Sequence, residues 1–187
     1  MNDLREVIEG CKRNSEKYQH ELYKRYSRML FAVSLRYTNS KFDAEDVLQE
    51  AFVKIFQNMH TYSQDKSFEG WIRRIVINTA ITHYRRNLKH AYQDDVDNLF
   101  QMQHSDEPFS SEYTAEELMN AISTLPAGYK MVFNMYVVEG YKHQEIAETL
   151  GIDINTSKSQ LSRAKKFLQR ELLEMSKVNL AGYDEAQ

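Results

Sequence analysis

The chain has 187 residues, of which 42% are hydrophobic, and its formal net charge at pH 7 is −3. This length suits one medium domain or two small ones. The single cysteine, Cys11, excludes an internal disulfide and fits a reducing compartment. No apolar run approaches the roughly 20 residues that span a bilayer, and the N-terminus lacks the apolar core of a signal peptide. We therefore expect a soluble, cytoplasmic protein with no membrane insertion.

Few helix-breaking residues interrupt the chain, which contains two prolines and six glycines. Helical periodicity runs through nearly all of it. The sequence therefore predicts an all-α fold of two small helical domains, joined by a flexible acidic linker. We place the first domain at residues 1–92, the linker at 93–113, the second domain at 114–178 and a tail at 179–187.

Capping signals predict where the helices of the first domain begin. Two helices are predicted over residues 2–13 and 16–38. Ser40 and Asp43, three residues apart, have the spacing of a capping box and predict a third helix. Ser67 is a candidate N-cap for a fourth helix.

The fourth helix has a polar stripe and an apolar stripe. At about 100° per residue, Arg74, Asn78 and Arg85 fall within roughly 40° of one another. Another side is predicted to face the core and collects Phe68, Ile72, Ile75, Val76 and Thr79. Basic groups interleaved with aromatic ones such as Trp71 suit single-stranded nucleic acid, whose backbone is anionic and whose bases stack. The alternative is that the aromatic side chains belong to the core and the arginines are solvated.

The net charge hides a strong asymmetry between segments. Residues 93–117 contain eight acidic residues and no Lys or Arg, whereas residues 70–92 and 154–170 each contain five basic residues and no acidic one. Local field rather than net charge determines where phosphate binds. The acidic segment is aperiodic and contains Pro108, which predicts a flexible linker. It is either a solvated tether or a nucleic-acid mimic that transiently covers the basic helices.

The second domain contains a pattern typical of a helix-turn-helix. Thr114 and Glu117 have capping-box spacing at the start of the domain. Later, one helix is predicted to end at Leu150, and Gly151 provides a turn because glycine adopts positive φ at little cost. Asn155 is a candidate N-cap for the next helix.

That last helix has an apolar seam and, opposite it, a polar face. Leu161, Ala164 and Leu168 share the seam. The other face carries small polar and basic residues: Ser159, Arg163, Lys166 and Arg170. Such a face suits the major groove of DNA, where side chains reach both phosphates and base edges. An ordinary amphipathic helix with solvated charges is the alternative.

Five blocks of the sequence, in this order, resemble those of bacterial extracytoplasmic-function (ECF) sigma factors. The blocks are residues 43–58, 67–78, 84–86, 125–126 and 140–166. The resemblance covers about residues 5–175. It implies a protein that binds core RNA polymerase, recognises promoter DNA and helps to open it in transcription initiation.

The resemblance also implies three binding surfaces. The surface that docks on the clamp coiled coil of core RNA polymerase matches Asp43, Asp46, Gln49, Glu50 and Lys54. The surface that holds the −10 element as single-stranded DNA matches Tyr62, Ser63, Lys66, Phe68, Trp71, Arg74, Asn78, Arg85 and Arg86. The −35 element would be recognised by Lys158, Ser159, Ser162, Arg163 and Lys166.

Four positions depart from the family pattern. Thr82 stands where Asp is common, and Lys142 stands where Ser or Thr commonly caps the first helix of the helix-turn-helix. Ser157 replaces a common Val, which we expect to loosen packing in the second domain. Gln160 replaces a common Arg, which weakens attraction to phosphate. We expect these changes to alter promoter preference rather than function.

Two other functions fit parts of the sequence. A dimeric operator-binding regulator would use the same helix-turn-helix on two half-sites. A metal-dependent nucleic-acid enzyme would use the histidines and the acidic run, but only His83 and His90 have a usable spacing. We expect a chain that is monomeric when free, with no metal, no cofactor and no catalysis of its own. The family resemblance makes an anti-sigma factor a further candidate partner.

Overall fold

The computed structural model describes residues 3–63, 65, 67–91 and 113–184. Within these ranges the backbone forms helices and turns and no strand. The chain divides into two compact units, Met1–Lys89 and His90–Gln187. The prediction of an all-α fold with two helical domains is confirmed. The predicted acidic linker lies, except for its last residue, outside the described residues.

The described part of unit 1 contains four α-helices and one 3₁₀ turn. They are α1 (Leu4–Lys12), α2 (Glu16–Tyr37), α3 (Lys41–Gln57), the 3₁₀ turn (Met59–Thr61) and α4 (Phe68–Ala91). Both predicted N-caps are confirmed. Ser40 Oγ accepts the backbone N–H of Asp43 at 3.0 Å, and Ser67 Oγ accepts that of Gly70 at 3.3 Å.

The core of unit 1 forms where α2 packs against α1 and α3. Leu22 and Leu30 of α2, Ile55 of α3 and Ile72 of α4 have no exposed surface. Full burial of such a side chain contributes about 1.5–3 kcal/mol, so this seam is the main source of stability in the unit.

The described part of unit 2 contains four α-helices. They are α5 (Ala115–Ser123), α6 (Ala127–Phe133), α7 (His143–Leu150) and α8 (Ile154–Asp184), and a π turn (Asn134–Val138) continues α6. The capping box predicted at the start of α5 is confirmed. The backbone N–H of Glu117 donates to Thr114 Oγ1 at 3.2 Å, and that of Thr114 donates to Glu117 Oε2 at 2.9 Å.

Helix α8 is the central element of unit 2, because α5, α6 and α7 all pack against it. A buried lysine joins two of these smaller helices. Lys130 Nζ donates to the carbonyl oxygen of Ser123, the last residue of α5, at 2.6 Å. A cation is favoured at the negative end of a helix, although burial lowers the pKa of Lys130.

Both ends of α8 differ from the sequence prediction. The prediction that Asn155 is the N-cap is wrong, because the helix begins at Ile154 and the cap is Asp153. Asp153 Oδ1 accepts the N–H of Asn155 at 2.7 Å, and a carboxylate is favoured at the positive end of a helix. The tail predicted from residue 179 is helical as far as Asp184, because no proline removes a backbone donor there.

We predict that the corner between α1 and α2 does not tolerate a side chain at Gly10. A Cβ atom added there would lie 2.1 Å from Tyr18 Cδ2 and 2.7 Å from Tyr18 Cβ. Because Tyr18 Cβ is fixed to the backbone, relief requires α1 to move away from α2. Gly10→Ala should destabilise unit 1 by about 1–3 kcal/mol. Urea unfolding followed by fluorescence of the single tryptophan, Trp71, measures this change.

Gly70→Ala is the matched control. A Cβ atom at Gly70, in the first turn of α4, would lie 3.6 Å from the nearest side-chain atom, Ser67 Cβ, which is an ordinary contact. Replacing a helical glycine by alanine should be neutral or stabilise by up to about 1 kcal/mol. Equal unfolding midpoints for the two variants would show that the corner is not tightly packed.

Candidate nucleic-acid interfaces

Four aromatic side chains cluster where the chain enters α4. They are Tyr26, Tyr62, Phe68 and Trp71. The ring centroids of the contacting pairs are 5.0–5.9 Å apart. Such pairs contribute about 0.5–1.5 kcal/mol each beyond the burial of their surface. The cluster therefore fixes the start of α4 against α2.

The cluster separates the predicted −10 contacts into buried and accessible ones. Tyr62 and Phe68 are only 9% and 4% exposed, so the alternative that the aromatic side chains belong to the core describes these two. Trp71 is half-buried and Ser63 is exposed. Lys66, predicted in the same surface, lies outside the described residues.

The polar stripe predicted on α4 is exposed. Arg74, Asn78 and Arg85 all point away from the core, and Trp71 lies at the edge of the same stripe. Buried residues occupy another side of the helix: Ile72, Val76 and Ala80. Helix α4 thus presents cations, an amide and an indole ring on one accessible surface, which suits an anionic backbone with unstacked bases.

Thr82 makes a local hydrogen bond beside this stripe. Its hydroxyl donates to the backbone carbonyl oxygen of Asn78 at 2.8 Å. The Asp common at this position in the family would add a negative charge one turn from Asn78. The threonine therefore leaves the field of the basic stripe stronger than an aspartate would.

The predicted polymerase contacts on α3 face two directions. Asp46 and Gln49 are exposed. Glu50 and Lys54 instead lie against α4. Lys54 Nζ is 2.8 Å from Glu50 Oε1 and donates to Thr79 Oγ1 at 3.2 Å.

Further polar contacts join α3 to α4. Arg86 Nη1 donates to Glu50 Oε2 at 3.4 Å, and His83 Nε2 lies 3.9 Å from Asp43 Oδ1. The hydrogen bond from Lys54, followed by the charges of Lys54 and Arg86, lowers the pKa of Glu50. The predicted docking helix and the predicted −10 helix are therefore linked by charged side chains.

Two exposed apolar side chains on α3 are absent from the predicted docking surface. Phe42 is 71% exposed and Val53 is 54% exposed. With Asp46 and Gln49 they follow the spacing i, i+4, i+7, i+11, which places all four on one face. Apolar residues are ordinarily assigned to the core, so composition alone missed them. The helical spacing is the signal that would have found them.

The helix-turn-helix has the predicted turn. Gly151 adopts a φ of +70°, in the left-handed region that glycine enters readily. The backbone N–H groups of Gly151 and Ile152 donate to the carbonyl oxygen of Ala147 at 2.9 and 3.1 Å. The predicted seam on α8 is buried, with Leu161, Ala164 and Leu168 at most 6% exposed.

The predicted −35 residues lie on the outer side of α8. Lys158, Ser159, Ser162 and Arg163 are exposed, and Lys166 is half-buried. All of them except Lys158 line a cleft between α6 and α8. The complete lining is Tyr129, Ser159, Ser162, Arg163, Lys166, Phe167 and Arg170. The cleft combines three cations with two serine hydroxyls and the rings of one tyrosine and one phenylalanine.

Three of these lining residues are absent from the predicted −35 contacts. Helical periodicity had already placed Arg170 on the polar face with Ser159 and Arg163, although the contacts implied by the family resemblance do not include it. Its guanidinium carbon lies 5.1 Å from the ring centroid of Phe167. Tyr129 comes from α6, and only the tertiary packing brings it to the cleft.

Two other features are absent from the described part of the chain. There, no three His, Cys, Asp or Glu side chains come together as a metal-binding group. No helix in the same part has the length and apolar content needed to cross a bilayer.

Comparisons with known proteins match both units. The family model of Sigma-70 region 2 matches residues 22–89, and that of Sigma-70 region 4 matches residues 115–168. The chain is 26% identical over 160 residues to the ECF RNA polymerase sigma factor SigE of Mycolicibacterium smegmatis, covering 83% of this chain and 62% of that protein. It is 24% identical over 177 residues to the ECF sigma-E factor of Escherichia coli K12, covering 89% and 92%.

Solved structures give weaker similarities. CnrH in complex with the cytosolic domain of CnrY is 19% identical, with 91% of this chain and 97% of that chain covered and a TM-score of 0.46. The sigma factor RpoE of Bartonella quintana, in complex with the anti-sigma factor NepR, is 20% identical, with 83% and 96% covered and the same TM-score.

The two matched regions define a transcription initiation factor of the sigma-70 type. The chain belongs to the extracytoplasmic-function sigma factor family, as the resemblance predicted. Sigma factors bind core RNA polymerase and direct it to promoters, and they are not themselves enzymes.

We predict that the Glu50 contacts make the α3–α4 link sensitive to acid. Because the pKa of Glu50 is lowered in the folded protein, its stabilisation is present above the ordinary value of 4.5 and is lost as the pH falls through the folded value. Glu50→Gln should therefore reduce the pH dependence of unfolding below about pH 4.5. An exposed ion pair contributes up to about 1 kcal/mol, so the difference in the free energy of unfolding should not exceed this amount.

Urea midpoints recorded by Trp71 fluorescence between pH 6 and pH 3 measure the effect. Glu45→Gln is the control, since it removes the same charge from α3, where the Lys41 ammonium is 3.9 Å away and both side chains are at least half-exposed. If Glu50→Gln and Glu45→Gln show the same dependence of the unfolding midpoint on pH, the Glu50 contacts between α3 and α4 are not formed in solution.

Proposed function

We propose that unit 1 docks on the polymerase and holds the −10 element as single-stranded DNA, while unit 2 recognises the −35 element as a duplex. One observation supports this division above all. Each unit contains a helix, α4 or α8, whose apolar seam is buried and whose basic stripe is accessible. Two such helices in separate units can contact two separate DNA elements.

In unit 1 the accessible groups suit a melted strand. Trp71 offers a ring on which a base can stack, worth about 1–3 kcal/mol per base in single-strand binders. Arg74 and Arg85 supply cations along the same side of α4, and Asn78 supplies an amide between them. Extruding a base costs a few kcal/mol, and less once the duplex is opening. Tyr62 and Phe68 support this surface from beneath, because they hold the start of α4.

In unit 2 the outer side of α8 suits a major groove. Arg163 can make a bidentate contact with a guanine edge, and Ser159 can donate to or accept from either base of a pair. Lys158 and Lys166 supply cations for the phosphates on either side. The Arg170 guanidinium over Phe167 extends the basic stripe by one more turn.

The docking surface is proposed to centre on Asp46 and Gln49, flanked by Phe42 and Val53. Apolar anchors beside polar groups are typical of the energetic centre of an interface. The carboxylate of Asp46 can pair with arginines of the polymerase clamp. Glu50 lies at the edge of this surface, because its carboxylate already accepts hydrogen bonds within the chain.

Two modest DNA interfaces gain affinity when both are held on the polymerase. The free chain, predicted to be monomeric, should therefore bind promoter DNA weakly and with strong salt dependence. Because its proposed action requires core RNA polymerase, we expect the chain to act in the cytoplasm. An anti-sigma factor remains a predicted partner, and it would compete for the same accessible surfaces.

Run-off transcription with purified core polymerase tests the proposal. Wild-type chain should produce specific transcripts from its own promoters, which core polymerase alone should not. Arg163→Ala should lower initiation by about tenfold at promoters that depend on the −35 element, because a good base contact contributes about 1–3 kcal/mol. Promoters that do not depend on that element should be little affected.

Lys24→Ala is the control, since it removes one positive charge from an exposed position on α2, a helix that carries none of the proposed DNA or polymerase contacts. It should initiate like the wild type. If the chain adds no promoter selection to core polymerase, the proposed function is wrong. A stable dimer that shifts palindromic DNA without polymerase would instead favour an operator-binding regulator.

A further inference from the structure

A partly buried hydrogen bond joins the two helices of the helix-turn-helix. His143 is the first residue of α7, and its Nδ1 lies 3.0 Å from Oγ of Ser157, in the first turn of α8. Ser157 has no exposed surface, and His143 is half-buried. The expected loosening at Ser157 is therefore offset by a polar link in place of an apolar contact.

The same imidazole also contacts the π turn. The rings of Tyr136 and His143 stack, with centroids 4.5 Å apart and planes 25° apart. One side chain thus touches the segment before α7, begins α7 itself and bonds to α8.

The bond lies directly beside the proposed −35 surface. Ser157 is followed by Lys158 and Ser159, which are both exposed. A buried hydroxyl without a partner is costly, so α8 is held at the rotation and distance that keep Ser157 within reach of His143. The direction in which the next two side chains leave the helix depends on that rotation.

We propose that His143 is a positioning residue, whose hydrogen bond to Ser157 sets α8 in the orientation that recognises the −35 element. This proposal rests on the proposed function of unit 2. It assigns to His143 no contact with DNA. Its effect is transmitted through Ser157 to the neighbouring groups on α8.

The hydrogen bond can form with either protonation state of the imidazole, because Ser157 Oγ can accept from Nδ1–H as well as donate to a bare Nδ1. Protonation would, however, place a further positive charge in a cationic surrounding. The groups that face His143 are Tyr136 from the π turn and the ammonium groups of Lys158 and Lys165 from α8. Burial, followed by the charges of these two lysines, lowers the pKa of His143 below 6.5. The neutral form is therefore favoured in the folded unit, and its advantage declines as the pH falls below 6.5.

A double-mutant cycle tests the proposal in the polymerase-bound protein. His143→Phe keeps a ring for Tyr136 but leaves the Ser157 hydroxyl unpaired. Ser157→Val, which installs the residue common in the family, removes the hydroxyl instead. The double variant replaces the polar pair by an apolar pair. Holoenzyme binding is measured on promoter duplexes identified from transcripts that the chain initiates, with intact or scrambled −35 sequences.

We expect His143→Phe to weaken binding to the intact −35 duplex by about tenfold. Ser157→Val should weaken the same binding by a smaller factor. The double variant should recover to within about threefold of wild type, and binding to the scrambled duplex should not change. Wild-type discrimination between the two duplexes should fall between pH 7 and pH 5.5, whereas that of the double variant should stay constant over the same interval. His20→Phe, an exposed histidine on α2, should match wild type throughout.

Three outcomes would overturn a proposal, and they separate the positioning role from the function on which it rests. If wild-type holoenzyme discriminates between the duplexes and both single variants match it, the positioning role of His143 is wrong. The role is also wrong if the losses of the single variants simply add in the double variant, because the pair is then not coupled. If wild-type holoenzyme itself ignores the −35 sequence, the proposed function of unit 2 fails, and the positioning role fails with it.

Discussion

Burial of one side of a single helix in each unit is the constraint on which the rest of the structure depends. In α4 and α8, apolar residues at helical spacing pack into the core, so the residues between them must face solvent. The groups proposed to bind DNA on these two helices therefore need no loop to position them. Helix α8 is an example, because three other helices pack on it and leave its outer side accessible.

The same constraint brings two proposed binding surfaces onto neighbouring helices. The proposed docking surface on α3 and the proposed −10 surface on α4 lie close enough for Glu50 to accept hydrogen bonds from Lys54 and Arg86. Polymerase bound at α3 would change the surroundings of that carboxylate and hence those of Arg86. In the proposed function, docking and single-strand binding are thus adjacent events in one unit, while duplex recognition belongs to the other.

Structural features that depend on local sequence were predicted better than features that depend on tertiary contacts. The caps at Ser40 and Thr114 follow from side-chain chemistry within four residues, and the stripes on α4 and α8 follow from helical spacing. Burial of Tyr62 and contact of Tyr129 with the α8 cleft depend on packing between elements, which no local window contains. The hydrogen bond of Ser157 was missed for the same reason, since its partner lies 14 residues away.

The central claim is that the two units recognise different promoter elements. Transcription by the holoenzyme from a library with randomised −35 and −10 segments, followed by sequencing of the transcribed templates, tests it most directly. Trp71→Ala should change the selected sequence only in the −10 segment, and Ser159→Ala only in the −35 segment. The account is contradicted if either variant changes selection in the other segment, or if wild-type holoenzyme selects a sequence in neither.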